Sequence, residues 1–200
     1  MKYYSLRVLN KQYEEIYRFI AKRLNIENIT PLIMHVSVVC DYSLEILKKF
    51  KINDESLIKR VEFLSLYHDI GRLFCKPFGR FSLILHGILS RKIMDFFCED
   101  LSLTRSLATH VGVGLKKEDI LKNISETEKT LFSELIEDYL PQSLEEKLVC
   151  FADKMVIYNR VVKIEEAFLD FYLKVPEKKE DFFTLQRELF EELINKNSKS

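Results

Sequence analysis

The chain has no excess of either charge. Lys plus Arg and Asp plus Glu number 31 each, so there is no overall basic field to hold a long nucleic acid. A small phosphorylated ligand needs only a local positive site, so this balance does not speak against nucleotides. The 4 cysteines, Cys40, Cys75, Cys98 and Cys150, form no CxxC pair. That leaves a zinc knuckle or a redox pair unsupported, and free, mostly buried thiols fit a reducing compartment. Long apolar runs are missing as well: the stretch near Phe81 to Leu89 is interrupted by Ser82, His86 and Gly87 and is too short to span a membrane. Met1-Lys2-Tyr3-Tyr4-Ser5 lacks the pattern of a signal peptide. The expectation is a cytoplasmic protein without a membrane partner. No alternation of strand length and no hairpin signal stands out.

What is present suits a helical domain. Hydrophobic residues make up 47% and charged residues 31% of 200 positions, enough for one folded domain and too apolar for disorder. We expect a single all-α domain over 1–200, with a helical extension at about 163–195. Tyr13, Ile16, Tyr17, Ile20 and Leu24 follow the three-four spacing of one helix face. Thr30-Pro31 reads as N-cap and first helical residue of a helix to about Lys49. Asp54 can cap a helix that runs through His68-Asp69 and ends near Gly71. His86 opens or precedes a helix through Ile93, Phe96 and Phe97, and a shorter one covers Leu103 to His110. Lys116 to Tyr139 reads as a polar helical excursion of low functional content. Ser143-Leu144-Glu145-Glu146 resembles a capping box and opens a helix through Leu148, Phe151, Met155 and Tyr158, with Asp153 mid-helix. Glu165 to Leu173 and Asp181 to Ile194 predict two more helices, and the polar tail Asn195 to Ser200 is expected to fray.

The 4 histidines carry the functional signal. They are His35, His68 in Tyr67-His68-Asp69-Ile70-Gly71-Arg72, His86 in Leu85-His86-Gly87, and His110 in Thr109-His110-Val111-Gly112. Asp153 interrupts an apolar stretch, Phe151-Ala152-Asp153-Lys154, and needs a buried partner. Any one of these alone is more often a satisfied core or surface residue. Together, His35, His68, Asp69, His86, His110 and Asp153 make a nitrogen and oxygen ligand series suited to borderline and hard divalent ions. Gly71, Gly87, Gly112 and Gly114, all but one of the 5 glycines, lie within four residues of a histidine, which suggests tight turns or crowded packing around one site. On a helix His68 and Asp69 point about a third of a turn apart and can reach two neighbouring metals. Arg72 falls three residues after Asp69, on the same face. Arg160 follows Asp153 by seven, which on a continuous helix keeps it on that face too; the other reading of Arg160 is a solvated helix residue. Guanidinium groups beside a metal cluster suit a phosphate-bearing substrate.

The residues His35, His68-Asp69 and Asp153 resemble the signature of the HD-domain superfamily, and His86 and His110 match the extra histidines of its dinuclear branch. The segments HDIGR, LHGILS, THVGVGL and YLPQSLEEKLVCFADKMV are similar to small HDIG-type proteins and, more distantly, to YqeK-like diadenosine tetraphosphate hydrolases. The resemblance covers roughly residues 30 to 160. It implies an α-helical phosphohydrolase holding two divalent ions, commonly iron or manganese, with cobalt, zinc, magnesium or nickel as other occupants. It further implies that Asp69 bridges the ions, with His35, His68 and Asp153 on one and His86 and His110 on the other. Arg72 would stabilise phosphoryl charge, and Arg160 would assist in binding. Two departures blur the substrate: Arg72 stands where many relatives have Lys, and Asn123 to Asp138 is longer than usual. The same superfamily contains di-iron oxygenases, and a non-catalytic metal-containing nucleotide-binding protein is a third reading. The sequence names neither the substrate nor an oligomeric state.

Overall fold

Short polar side chains start the helices. In the computed structural model, which describes residues 5–198, the Asp54 carboxylate accepts from Ser56 and Leu57 N–H at 3.1 Å each, opening α3 (Glu55–Tyr67). α1 (Leu6–Arg23) and α2 (Thr30–Lys49) precede it. α2 begins one residue earlier than expected: Ile29 is its N-cap, Thr30 is already helical, and Asn28 Oδ1 accepts from Thr30 N–H at 3.1 Å. The chain continues through α4 (His86–Met94), α5 (Leu101–Ser106), α6 (Lys117–Lys122), α7 (Glu126–Leu131) and α8 (Leu144–Lys154). α9 (Ile164–Lys174) and α10 (Lys179–Asn197) complete an all-α fold. Reciprocal Ser-Glu boxes open α7 through Ser125 and Glu128, and α8 through Ser143 and Glu146. Met1 to Tyr4, where the absence of a leader was read, and the last two residues of the polar tail lie outside the described residues.

α3 occupies the centre. Its last five positions, Phe63 to Tyr67, are all buried, as expected of a helix covered on every side. α1, α2 and α8 pack around it. The Tyr17 hydroxyl donates to Leu66 O at 3.0 Å and the Tyr67 hydroxyl to Leu9 O at 2.8 Å, so both buried phenols are satisfied while locking α1 to α3. A second, smaller apolar cluster, including Leu85, Leu89, Ile120, Phe132 and Tyr139, forms beneath α4, α6 and α7. α4 joins the two, giving Leu89 to the smaller cluster and Met94 to the main one. α2, rather than the stretch near Phe81 to Leu89, is long and apolar enough to cross a membrane by length and composition; Ile33, Val36, Val39, Ile46 and Leu47 on it are buried in the main core. The four cysteines are free and buried.

Two segments differ from expectation near the site. α3 ends at Tyr67, His68 caps it, and a 3-10 turn, Ile70–Phe74, follows, so His68 and Asp69 do not share a regular helix. α8 ends at Lys154, and the chain then forms a small antiparallel hairpin from β1 (Val156–Ile157) and β2 (Arg160–Val161). Asp153 therefore sits in the last turn of α8 rather than mid-helix. Arg160 is separated from it by a reversal of the chain.

Candidate metal centre

Five parts of the chain converge on one carboxylate. His35 comes from the second turn of α2, His68 and Asp69 from the end of α3, His86 from the start of α4, His110 from the turn after α5, and Asp153 from the end of α8. Around Asp69, the His86 and His110 Nε2 atoms lie 3.3 and 3.5 Å from Oδ1, and the His35 and His68 Nε2 atoms lie 3.7 Å from Oδ2. Asp153 Oδ1 is 3.0 Å from His35 Nε2 and 3.5 Å from His68 Nε2. All six ligand-type residues read from the sequence thus meet in one place. Two subsets, His35 with His68 and Asp153, and His68 with Asp69 and His110, are compact enough to hold an ion. The second subset differs from the resemblance, which pairs His110 with His86 and gives His68 to the other ion.

The outward nitrogens fix the inward ones. His68 Nδ1 lies 2.8 Å from Ser65 O, His86 Nδ1 2.7 Å from Leu83 O, and His110 Nδ1 2.9 Å from Leu107 O. A carbonyl oxygen only accepts, so each Nδ1 carries a proton and each ring turns its Nε2 inward. Burial, partly offset by Asp69, holds His86 down at about 3, and burial holds His110 at about 4. Both rings are neutral at ordinary pH, yet their Nε2 atoms face each other at 2.8 Å. Two lone pairs at that distance repel unless a cation lies beside them. His68 Nε2 and Asp69 Oδ1 are likewise buried without a hydrogen-bond partner. The donor set and these orphaned atoms fit a divalent ion.

The carboxylates remain charged. Burial pushes the Asp69 carboxyl up, but Arg72 and His68 outweigh it and hold it well below the usual range. Asp153 is lowered in the same sense: burial opposes ionisation, and Lys154 and His35 overcome it.

No family model matches the chain, and no solved structure matches it. An uncharacterized protein of Methanocaldococcus jannaschii is 28% identical over 153 residues, covering 76% of this chain and 80% of that protein. A tRNA (cytidine(56)-2'-O)-methyltransferase of Picrophilus torridus is 28% identical over 102 residues, 51% of this chain but 26% of the enzyme. The chain spans about a quarter of that methyltransferase, so the likeness leaves most of the enzyme unmatched.

Packing around α4 sets the spacing of the ligands. A Cβ on Gly71 would lie 1.9 Å from His86 O, so only glycine lets the 3-10 turn after Asp69 approach α4. The Ser90 hydroxyl lies 2.6 Å from His68 O as donor and accepts from Gly71 N–H at 2.9 Å. Glu128 also bears on His86, from the segment read as having low functional content. It accepts from Ser82 N–H at 2.6 Å and from the Ser82 hydroxyl at 2.9 Å, fixing the start of the 3-10 turn whose Leu83 carbonyl receives His86 Nδ1.

The centre opens into a cleft of about 340 Å³. Arg72 lines it, and its Nε lies 2.6 Å from Asp69 Oδ2 as a close ion pair without hydrogen-bond alignment. Lys154, which the sequence analysis passed over, sits at the same edge: its ammonium donates to Asp153 Oδ2 at 2.5 Å and to His110 O at 2.9 Å. Burial lowers the Lys154 pKa, but Asp153 more than compensates, so it is raised and the group stays charged. A lysine beside Asp153 in an apolar run was the available signal. Arg160 is a correction. It is exposed on β2, does not line the cleft, and pairs with Glu166 at 2.5 Å. The seven-residue spacing failed because the helix ends at Lys154.

Proposed function

We propose that the chain is an HD-type metal-dependent phosphohydrolase acting on a small nucleotide phosphoester or phosphoanhydride. The observation that carries the metal requirement is the pair of neutral imidazoles, His86 and His110, whose unprotonated Nε2 atoms face each other at 2.8 Å beside Asp69. His35, His68, Asp69, His86, His110 and Asp153 would hold two divalent ions, with iron or manganese as the first candidates. When bound, such ions lower the pKa of water and polarise a phosphoryl oxygen. The protein's part is arrangement. Carbonyls of residues 65, 83 and 107 orient three imidazoles with Nε2 inward, and at His86 and His110, which burial keeps neutral, no proton has to leave Nε2 before an ion binds. Arg72 presents its guanidinium edge at the cleft, where it grips non-bridging phosphate oxygens. Lys154 keeps Asp153 ionised and turned toward His35 and His68. The balanced total charge favours a compact phosphate over a polymer.

The test begins with elemental analysis of protein purified without chelator, followed by phosphate release from a nucleotide panel with iron, manganese, cobalt or magnesium. Metal-dependent release from one class of nucleotide is the expected result. Consumption of oxygen with a carbon substrate and no phosphate release would replace this reading with the oxygenase one. Nucleotide binding without turnover of any kind would replace it with a binding protein.

A further inference from the structure

The cleft has two unlike ends. The inner end is charged, with His35, Arg72, Asp153 and Lys154. The outer end is formed by Val156, Ile157 and Tyr158 of the hairpin against Phe171 and Val175, with Asp170 and Lys174 as its charged groups. Tyr158 stands at the rim, 92% exposed. Exposure of one aromatic ring is ordinary. Its backbone is not: Tyr158 and the following Asn159 have φ of 49° and 60°, the type I′ pair that hairpins usually build from Asn-Gly or Asp-Gly. The chain holds a bulky aromatic where glycine is the easy choice.

The backbone that carries the ring is held on both sides. Val156 pairs with Val161 and Ile157 with Arg160, Val162 N–H donates to Met155 O at 2.9 Å, and Arg160 ties β2 to Glu166 of α9. Five residues separate Tyr158 from Asp153, so the two Cα atoms are at most about 17 Å apart. Lys174, the positive group that lines the outer walls, is paired with Asp170 at 2.7 Å. A second phosphate would therefore find no uncommitted cation there among the described residues. At about 340 Å³ the cleft is also at the small end of the size range for ligand sites. These features favour one phosphate inside and one flat, largely apolar group outside.

We infer that Tyr158 is the specificity-determining residue of the cleft, stacking on the base of a mononucleotide whose phosphate lies at the Arg72 end. The position of the phosphate rests on the phosphohydrolase reading; the stacking of the base on Tyr158 is tested separately. Every nucleobase has a π-face, so this contact selects nucleotides over sugar phosphates while discriminating weakly among bases.

The decisive variant is Tyr158→Asn, which removes the ring while tolerating the positive φ, with Tyr158→Phe as the conservative partner. Calorimetric titration with adenosine, which has no phosphate to release, should show binding to wild type and to Tyr158→Phe, and at least ten-fold weaker binding to Tyr158→Asn. In kinetics with AMP and ribose 5-phosphate, Tyr158→Asn should raise KM for AMP about ten-fold, leave kcat nearly unchanged, and leave ribose 5-phosphate unaffected. Equal adenosine affinity in wild type and Tyr158→Asn, no adenosine binding by wild type, or equal loss with both phosphates overturns the inference. If neither phosphate is released by any protein, the hydrolase reading falls, and the adenosine titration still decides the role of Tyr158.

Discussion

Replacing Gly71 by alanine should damage the protein through a single atom. The new Cβ would stand 1.9 Å from His86 O and 2.7 Å from Ser90 N, both backbone atoms of α4. Cβ atoms do not approach others closer than 3.0 Å, so α4 must retreat from the 3-10 turn by about 1 Å or more. Overpacking costs about 1–3 kcal/mol, and a clash with unyielding backbone belongs at the upper end. About 3 kcal/mol in a chain of this size corresponds to a fall in Tm of roughly 6–12 °C. The retreat also carries His86 away from Asp69, so metal content should fall with stability. Gly112→Ala is the control. Its Cβ meets nothing closer than 3.7 Å, and the cost comes only from φ of +58°, about 1 kcal/mol or roughly 2–4 °C. Thermal melts followed by circular dichroism, with elemental analysis of each variant, separate the two. A Gly71→Ala protein that melts within 2 °C of wild type and keeps its metal would refute the close-approach argument.

Asp69→Ala should abolish most metal binding, because Asp69 lies within 3.7 Å of all four histidines; full metal retention by elemental analysis would remove it from the ligand set. Arg72→Ala should keep its metal while lowering turnover by about ten- to a thousand-fold, with partial recovery in Arg72→Lys, since an ammonium offers a point charge in place of a fork; unchanged kcat/KM would take Arg72 out of phosphate binding. Glu128→Gln should cost about 2 kcal/mol at pH 7 in denaturant unfolding. Burial raises the Glu128 carboxyl, but the N–H and hydroxyl groups of Ser125 and Ser82 pull it down to about 2, from 4.5. Its stabilisation is complete above pH 4.5 and disappears as pH falls toward 2, so the gap between variant and wild type should close over that window. A gap as wide at pH 3 as at pH 7 would contradict this account.

The residues that converge on the candidate centre were legible because their chemistry lies in residue type: with only four histidines in the chain, each beside an informative neighbour, identity and order pointed to one place. The helices were legible where periodicity ran long or a cap was explicit, as at Asp54 and Ser143. Arg160 was misplaced because two-residue strands leave no periodic trace, and a Tyr-Asn turn lacks the glycine that marks a hairpin. The join between Glu128 and Ser82 was invisible for another reason. It links residues 46 apart, and nothing local in either segment encodes the other.

His35 and Asp153, in contact at 3.0 Å, are 118 residues apart along the chain. The centre therefore exists only after α2 and α8 have met, and ion capture would report the closing of nearly the whole fold rather than the formation of any one helix. A contact of such long range is slow to form, because loop-closure entropy is lost before the contact rewards it. An ion that recognises only the closed chain would then act as a thermodynamic latch. At 100 times its Kd it adds about 2.7 kcal/mol to stability, so the fraction of chains folded would follow the free metal concentration around them.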